Sequence, residues 1–321
     1  MATYKGIQGR SVQNLSSDPA SIEDVRGQLW YNSTTGTFKL ATENALSTGS
    51  WAAAPSLNGG RYYFHGAGSP TAGIVAAGSP AGILTEIYDG SSWSEEASLN
   101  SVKGYPGVAG TSIAAIVTGQ PTSSLNVETW NGSTWTETAD TNTSRANAGP
   151  ARGPSTATIV AGGAPSSGET ETYNGTSWTE TGHTMNSAAV QGKAGLGTQT
   201  AMMSVGGEPT VVLSETYNGS TWTEGNNINV GGGNFSGSGT VTAGIVFAGT
   251  GPRNQASETY DGTSWSTAPA ISQAHGPGTA GGDVGSSLNG AFAAGGYAPG
   301  INTNVDQWTF TQYEAKTVTV T

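Results

Sequence analysis

The decapeptide E-T-Y-N-G-T-S-W-T-E at Glu171–Glu180 decides how this chain folds, because it returns four more times. Close copies stand at Glu86–Glu95 (EIYDGSSWSE), Glu128–Glu137 (ETWNGSTWTE), Glu215–Glu224 (ETYNGSTWTE) and Glu258–Thr267 (ETYDGTSWST). Each alternates polar and aromatic residues, turns at Asn-Gly or Asp-Gly, and resumes on Trp. Alternation marks a half-buried strand, and these dipeptides take φ > 0 readily at a tight hairpin turn. The repeated unit therefore reads as a β-hairpin.

The same period runs outward from the hairpins. Their tryptophans are Trp51, Trp93, Trp135, Trp178, Trp222 and Trp265, spaced 42, 42, 43, 44 and 43 residues apart. The aromatic before the turn is Tyr88, Trp130, Tyr173, Tyr217, Tyr260 and then Trp308. Between hairpins lies an apolar run ending in Gly: IVAAG (Ile74–Gly78), AIVTG (Ala115–Gly119), TIVAGG (Thr158–Gly163), MMSVGG (Met202–Gly207), GIVFAG (Gly244–Gly249) and AFAAGG (Ala291–Gly296). Such a run has the length of a strand buried on both faces. The Gly/Ala/Ser-rich segment upstream supplies one more strand, close to a crowded axis where small side chains fit. Four strands in about 43 residues is one propeller blade.

Either aromatic column counts six blades. The first copy has Trp51 without the arm that should precede it, and the last has Trp308 without the Trp that should follow. The expected fold is thus an all-β, six-bladed propeller whose ring closes by pairing of the Trp51 and Trp308 strands, which removes exposed edges. The aromatic columns read as blade-to-blade packing, each ring contributing roughly 1.5–3 kcal/mol by burial; a stacking platform for sugars is the other reading. Residues 1–45 stand apart as a docking or capping segment carrying one hairpin, G-Q-L-W-Y-N-S-T-T-G-T-F-K-L (Gly27–Leu40). Residues 46–312 form the propeller, and 313–321, with K-T-V-T-V-T at its end, a strand-like tail.

Composition narrows the functional classes. The 321 residues include 50 Gly, 14 Pro, nine Trp and eleven Tyr but no Cys, with only 10% charged. Regularly placed aromatics argue against disorder, whose signature is their scarcity. A net charge of −11 and a pI near 4.6 make nucleic acid and anionic membrane poor partners. No apolar run approaches the roughly 18–20 residues of a membrane span, and no signal peptide is read at the start. Without Cys there are no disulfides and no thiolate metal site. His65, His183 and His275 fall at different repeat phases without metal-ligand spacing, so no metal, cofactor or catalytic residue is expected. Asn-x-Ser/Thr sites such as Asn131 and Asn174 are accounted for as turn residues.

An apolar strand ending in Gly-Gly, then E-x-Y-N/D, a turn and W-T, is similar to the kelch repeat over about residues 50–310. After each hairpin comes a short step, Leu57-Asn58, Leu99-Asn100, Thr141-Asn142, Met185-Asn186, Ile228-Asn229 and Ile271-Ser272. Three residues on stand Arg61, Lys103, Arg145, Ala189, Gly232 and His275. The resemblance implies a basic residue there, so three copies and His275 match while Ala189 and Gly232 depart. Two activities carried by similar propellers do not fit: copper-radical oxidases need a Cys cross-linked to Tyr, and the S-x-D-x-G-x-x-W turns of sialidases have the wrong spacing. Converging in a ring, Arg61, Lys103, Arg145 and His275, with Tyr63 and Tyr105, form a candidate channel-mouth face for acidic or neutral glycans; turn-bracing is the competing role.

The opening M-A-T-Y-K-G and G-Q-L-W-Y-N-x-T-x-G-x-F-K resemble the start of tail, baseplate or fibre-associated proteins of tailed bacteriophages. The resemblance implies a non-enzymatic virion structural protein, a tail-fibre or baseplate-associated adhesin present in multiple copies. Residues 1–45 would meet other virion proteins, and the propeller a host-surface glycan or receptor. The alternatives are a capsid decoration or head-fibre protein, a polysaccharide-active enzyme, and a cellular kelch interaction scaffold.

Overall fold

The computed structural model describes residues 12–19, 27–43, 49–119, 125–165, 168–186, 192–208, 211–234, 236–250, 253–276, 280–282, 290–310 and 313–318. The described residues are all β, turn and loop apart from one helical-turn position at Arg253. The chain divides into two compact units, Met1–Thr48 with Phe310–Thr321, and Gly49–Thr309. The division differs by three residues at each boundary from the one expected, and it joins the C-terminal tail to the N-terminal segment. The reason is strand pairing: Tyr313–Thr317 runs antiparallel to Thr37–Glu43, with Lys39 facing Thr317.

In this smaller unit Leu29–Asn32 and Thr37–Glu43 form the hairpin, and Gln13–Leu15 adds parallel to the first arm. Trp30 is buried and donates its indole N–H to Asp18 at 3.1 Å, while the Asn32 amide donates to the same carboxylate at 2.7 Å. The Asn32 hydrogen bond is the main influence holding Asp18 below its ordinary pKa.

The larger unit contains six four-stranded antiparallel sheets. The first takes His65–Ser69, Ala72–Ala76, Thr85–Tyr88 and Trp93–Glu96 in chain order. The next four repeat it, from innermost to outermost strand: Gly107–Thr111 to Trp135–Thr138, Ala151–Arg152 to Trp178–Thr184, Ala194–Thr198 to Trp222–Glu224, and Ser236–Gly239 to Trp265–Ala268. The sixth is assembled from both ends of the unit. Ala280–Gly282, Gly290–Ala294 and Val305–Thr309 are completed by Ser50–Ala54, which pairs Trp51 opposite Trp308. Arg145–Ala148 and Gly163–Pro165 make a separate two-stranded sheet. Each innermost strand lies against that of the next sheet, and Ala280–Gly282 of the sixth lies against His65–Ser69 of the first.

These inner strands approach so closely because their side chains are small. Where strand one turns into strand two, Gly68, Gly110, Gly153, Gly197 and Gly239 have φ of 90–110°. A Cβ on any of them would fall 2.0–2.4 Å from a carbonyl oxygen, so no other residue fits. Past their first residue the second strands are buried throughout, as at Ile74–Ala76 and Ile245–Phe247.

The hairpin turn differs from the one expected. Only the Gly has positive φ, 92–96° at Gly90, Gly132, Gly175, Gly219 and Gly262. The Asp or Asn before it serves through its side chain. Asn174 Oδ1, for example, accepts from the backbone N–H groups of Thr176 and Ser177 at 2.9 Å each, an Asx turn in a four-residue connection. The hydrogen bonds hold the exposed Asp89 and Asp261 below the usual carboxylate range, led by the Ser91 hydroxyl and the Ser264 amide respectively.

The aromatic columns lie face to face across each hairpin, with ring centroids 4.8–5.4 Å apart from Tyr260–Trp265 to Trp130–Trp135 and Trp51–Trp308. Such pairs contribute about 0.5–1.5 kcal/mol beyond their buried area. All twelve rings are buried. Three of the six Trp also hydrogen-bond to the preceding sheet: Trp135 Nε1 donates to Thr85, Trp222 to Thr170 and Trp51 to Ser257, at 2.9–3.2 Å, while Trp265 Nε1 has no such partner. At the corresponding position Trp178 packs with Val127 and Trp93 with Val305, and both indole N–H groups lack a partner.

Two outcomes follow. Thr85→Val removes the acceptor of Trp135 and lowers stability by about 1 kcal/mol, whereas Val127→Thr gives Trp178 an acceptor and leaves the melting temperature level or higher. Equal losses in both variants would sink this account of the sheet-to-sheet contact. Deleting residues 1–54 strips the last strand from the sixth sheet and exposes the Val305–Thr309 edge. Gel filtration of that variant is expected to show aggregates rather than a folded monomer.

Candidate functional site

The residue that organises each repeat is the first of the E-x-Y motif. Glu86, Glu128, Glu171, Glu215, Glu258 and, in the sixth sheet, Asp306 are 0–1% exposed. A carboxylate without water must collect donors, and the five Glu do so in the same way. Glu171 Oε2 accepts from the backbone N–H of Asn142 at 2.7 Å and from its amide at 3.0 Å. The same amide reaches the carbonyl of Trp178 at 3.1 Å. One side chain thus fastens the loop that leads into the inner strand to the third and fourth strands. Asn58, Asn100, Asn186 and Asn229 repeat the arrangement on Glu86, Glu128, Glu215 and Glu258.

The second carboxylate oxygen takes a cation, and here the basic column expected at an open mouth is corrected. Arg61, Lys103, Arg145 and His275 are 0–1% exposed. They pair with Glu86, with Glu128 at 3.7 Å, with Glu171 at 3.0 Å and with Asp306 at 2.8 Å. Burial pulls Arg61 and Lys103 below their ordinary pKa, and the Glu86 and Glu128 charges push back. These groups brace the turns and present no charge to a ligand.

The two departing copies are also supplied, from places the spacing did not indicate. In the fifth sheet Arg253 enters from the loop before the third strand and binds Glu258 at 2.7 Å. Gly232 is the space it needs, since a Cβ there would lie 2.6 Å from Arg253 Cδ. In the fourth, Lys193 is buried and its pKa is drawn down to about 8 by burial, with the Glu215 charge opposing. In the sixth, the shorter Asp306 is matched by His275 and by a hydrogen bond from Ser272.

The other histidines have structural partners as well. His183 Nδ1 lies 2.9 Å from the Tyr217 hydroxyl. His65 Nδ1 lies 2.6 Å from the Pro106 carbonyl, and burial lowers its pKa to about 4. Among the described residues no group of three His, Cys, Asp or Glu could hold a metal ion.

Tyr63 and Tyr105, the other two residues expected at the mouth, are brought together. Their rings stack at 4.1 Å with an interplanar angle of 22°. Tyr62 lies 4.8 Å from Tyr63, and Tyr297 lies 5.3 Å from Tyr62, giving a file of four rings. The first three are half-buried and Tyr297 is 48% exposed, beside the equally open Ile301. Tyr63, Tyr105 and Asn234 occupy the same place before three inner strands, and all three have left-handed φ, 54°, 52° and 54°. Such a backbone costs non-glycine residues roughly 1–3 kcal/mol each and gathers at functional sites. It is held by hydrogen bonds from Tyr105 N to Tyr63 O and from Asn234 N to Gly192 O. Asn234 also binds Glu208. Burial is the main cause raising the Tyr105 pKa, with contributions from Tyr63, Tyr62 and Glu208, so its hydroxyl is protonated at neutral pH. Adjacent Tyr62-Tyr63 and the Tyr297 that follows Gly295-Gly296 were visible in the chain, but only the fold places them side by side.

Among solved structures this chain is similar to YjhT, a kelch-type β-propeller protein, with a TM-score of 0.64 and 12% identity over 82% of this chain and 99% of that one. The fold is that of a β-propeller. No protein family profile matches the chain, and no curated protein does. Within the propeller unit, six Lys and Arg stand against seventeen Asp and Glu. All six cations, Arg61, Lys103, Arg145, Arg152, Lys193 and Arg253, are buried. Arg152 spans inner strands, donating to the carbonyls of Gly195 and Gly237 at 2.8 Å.

Glu171→Ala leaves Arg145 buried without its counter-charge and is expected to cost about 3–5 kcal/mol in urea unfolding, while Glu137→Ala, on the exposed outer strand, leaves the midpoint in place. Equal midpoints for the two variants would refute the brace.

Proposed function

We propose that this chain is a six-bladed, kelch-like propeller closed by its own two ends, serving as a non-enzymatic structural protein of a tailed-phage virion. Its role is that of a tail-fibre or baseplate-associated adhesin. Support for the ring comes from the six sheets, the cyclic succession of inner strands and the Trp51–Trp308 pairing. The phage reading rests on the resemblance of the opening segment.

The observation that carries the binding role is the tyrosine file. Four rings stand beside one another, and two of them, Tyr63 and Tyr105, sit on strained backbone at the leading ends of inner strands. A closed ring would set that file at the mouth of its axis. Aromatic surface with a few polar groups at hand is what a recognition site requires. Docking by the smaller unit, whose hairpin is matched to the C-terminal strand, would leave the propeller free to meet a receptor.

Mass spectrometry of purified virions is expected to find the protein, and antibody labelling to place it on the tail. Absence from virions would end this reading; labelling on the head would replace the adhesin with a capsid decoration protein.

A further inference from the structure

We propose that the tyrosine file binds the uncharged end of a neutral saccharide and discriminates against acidic ones. The inference rests on the receptor-binding reading above and names the ligand of that site. Three observations carry it.

First, the file offers sugar-sized aromatic surface with hydroxyls at its rim. Tyr297 is the most exposed ring, and Ile301 extends its apolar side. The apolar face of a pyranose packs on such rings. Second, Asn234 holds the same place before its inner strand as Tyr63 and Tyr105, and its amide donates to the Glu208 carboxylate. Both accept hydrogen bonds from sugar hydroxyls. Third, no Lys or Arg of the propeller unit is exposed to neutralise an anion. Arg61, the cation two residues from Tyr63, spends its donors on Glu86 and on the carbonyls of Leu84, Ala77 and Gly59. Lys103, two residues from Tyr105, is fully buried on Asn126 and Glu128. Every other Lys and Arg of the propeller unit is buried too. A uronate or sialylated sugar would find every Lys and Arg of this unit already buried and would pay its desolvation unaided.

The test uses the full chain and three probes: cellotetraose, chitotetraose and tetragalacturonate, titrated by calorimetry. At least one neutral probe is expected to bind, and tetragalacturonate about tenfold more weakly or worse. Tyr297→Ala is expected to weaken the neutral probe by about tenfold with an unchanged melting temperature, because the ring is largely exposed. Glu208→Gln is expected to narrow the preference over tetragalacturonate. The proposal is overturned if tetragalacturonate binds as well as the neutral probes or if neither neutral probe binds at millimolar concentration. Full affinity in a folded Tyr297→Ala variant would overturn it as well. Absence of the protein from virions would leave all of these titrations unaffected, so the two readings fail separately.

Discussion

A carboxylate buried in each sheet is the constraint on which the repeat depends. Removing its water would be prohibitive unless every lone pair found a donor. The chain answers by bringing three separate segments to one side chain: the Asn step before the inner strand, the strand that carries the Glu, and a cation. Because the Asn amide also holds the Trp carbonyl on the outer strand, the five Glu carboxylates position inner and outer strands together. Hydrophobic burial supplies the bulk of the stabilisation. The carboxylate fixes the register, since a slip of one residue would turn the Glu out and leave its cation stranded.

The brace also explains why the repeats vary as they do. Its requirement is electrical, not positional: a cation must reach the buried oxygen from somewhere. Arg145 arrives from the loop before its inner strand, Arg253 from the opposite loop over the gap at Gly232, and His275 comes with a shortened partner, Asp306. Substitutions at one end of the contact are matched by substitutions at the other. A lysine is a weaker fork than an arginine, and the Lys103 copy shows the compensation. Its distance to Glu128 is 3.7 Å, and the Ser101 hydroxyl closes on the same oxygen at 2.6 Å.

This redundancy is also what made the repeat easy to read and the site hard. Strands, hairpins and the aromatic pairs follow from alternation and period, which are one-dimensional signals. The pairing of Trp51 with Trp308 was legible because each end of the repeat lacked what the other had. The destination of Lys316–Thr317 was not, because an alternating tail names no partner. Arg61 and Lys103 appeared as a basic ring because spacing shows convergence without showing direction; burial inverted their role. Lys193 and Arg253 escaped because they sit out of phase. In the turn, Asn174 was read for its backbone when its side-chain oxygen was the working part. The Tyr62–Tyr297 contact joins residues from the first and last repeats, which no periodic argument brings together.

Consuming every propeller cation internally has a consequence for the surface. The outermost strand of each sheet has a free edge, the kind of surface that recruits other chains. In four of the six sheets that strand carries exposed Glu directly after its Trp motif: Glu95 and Glu96, Glu137, Glu180 and Glu224. With no exposed Lys or Arg on the propeller unit to answer them, the edges of two such units repel instead of pairing. The same arrangement makes contact by salt bridge to an anionic surface unfavourable anywhere on this unit. The uncharged tyrosine file, with Tyr63 and Tyr105 held on left-handed backbone, belongs to the same unit. A chain that spends its positive charge on holding its turns has, by that choice, restricted what it can bind.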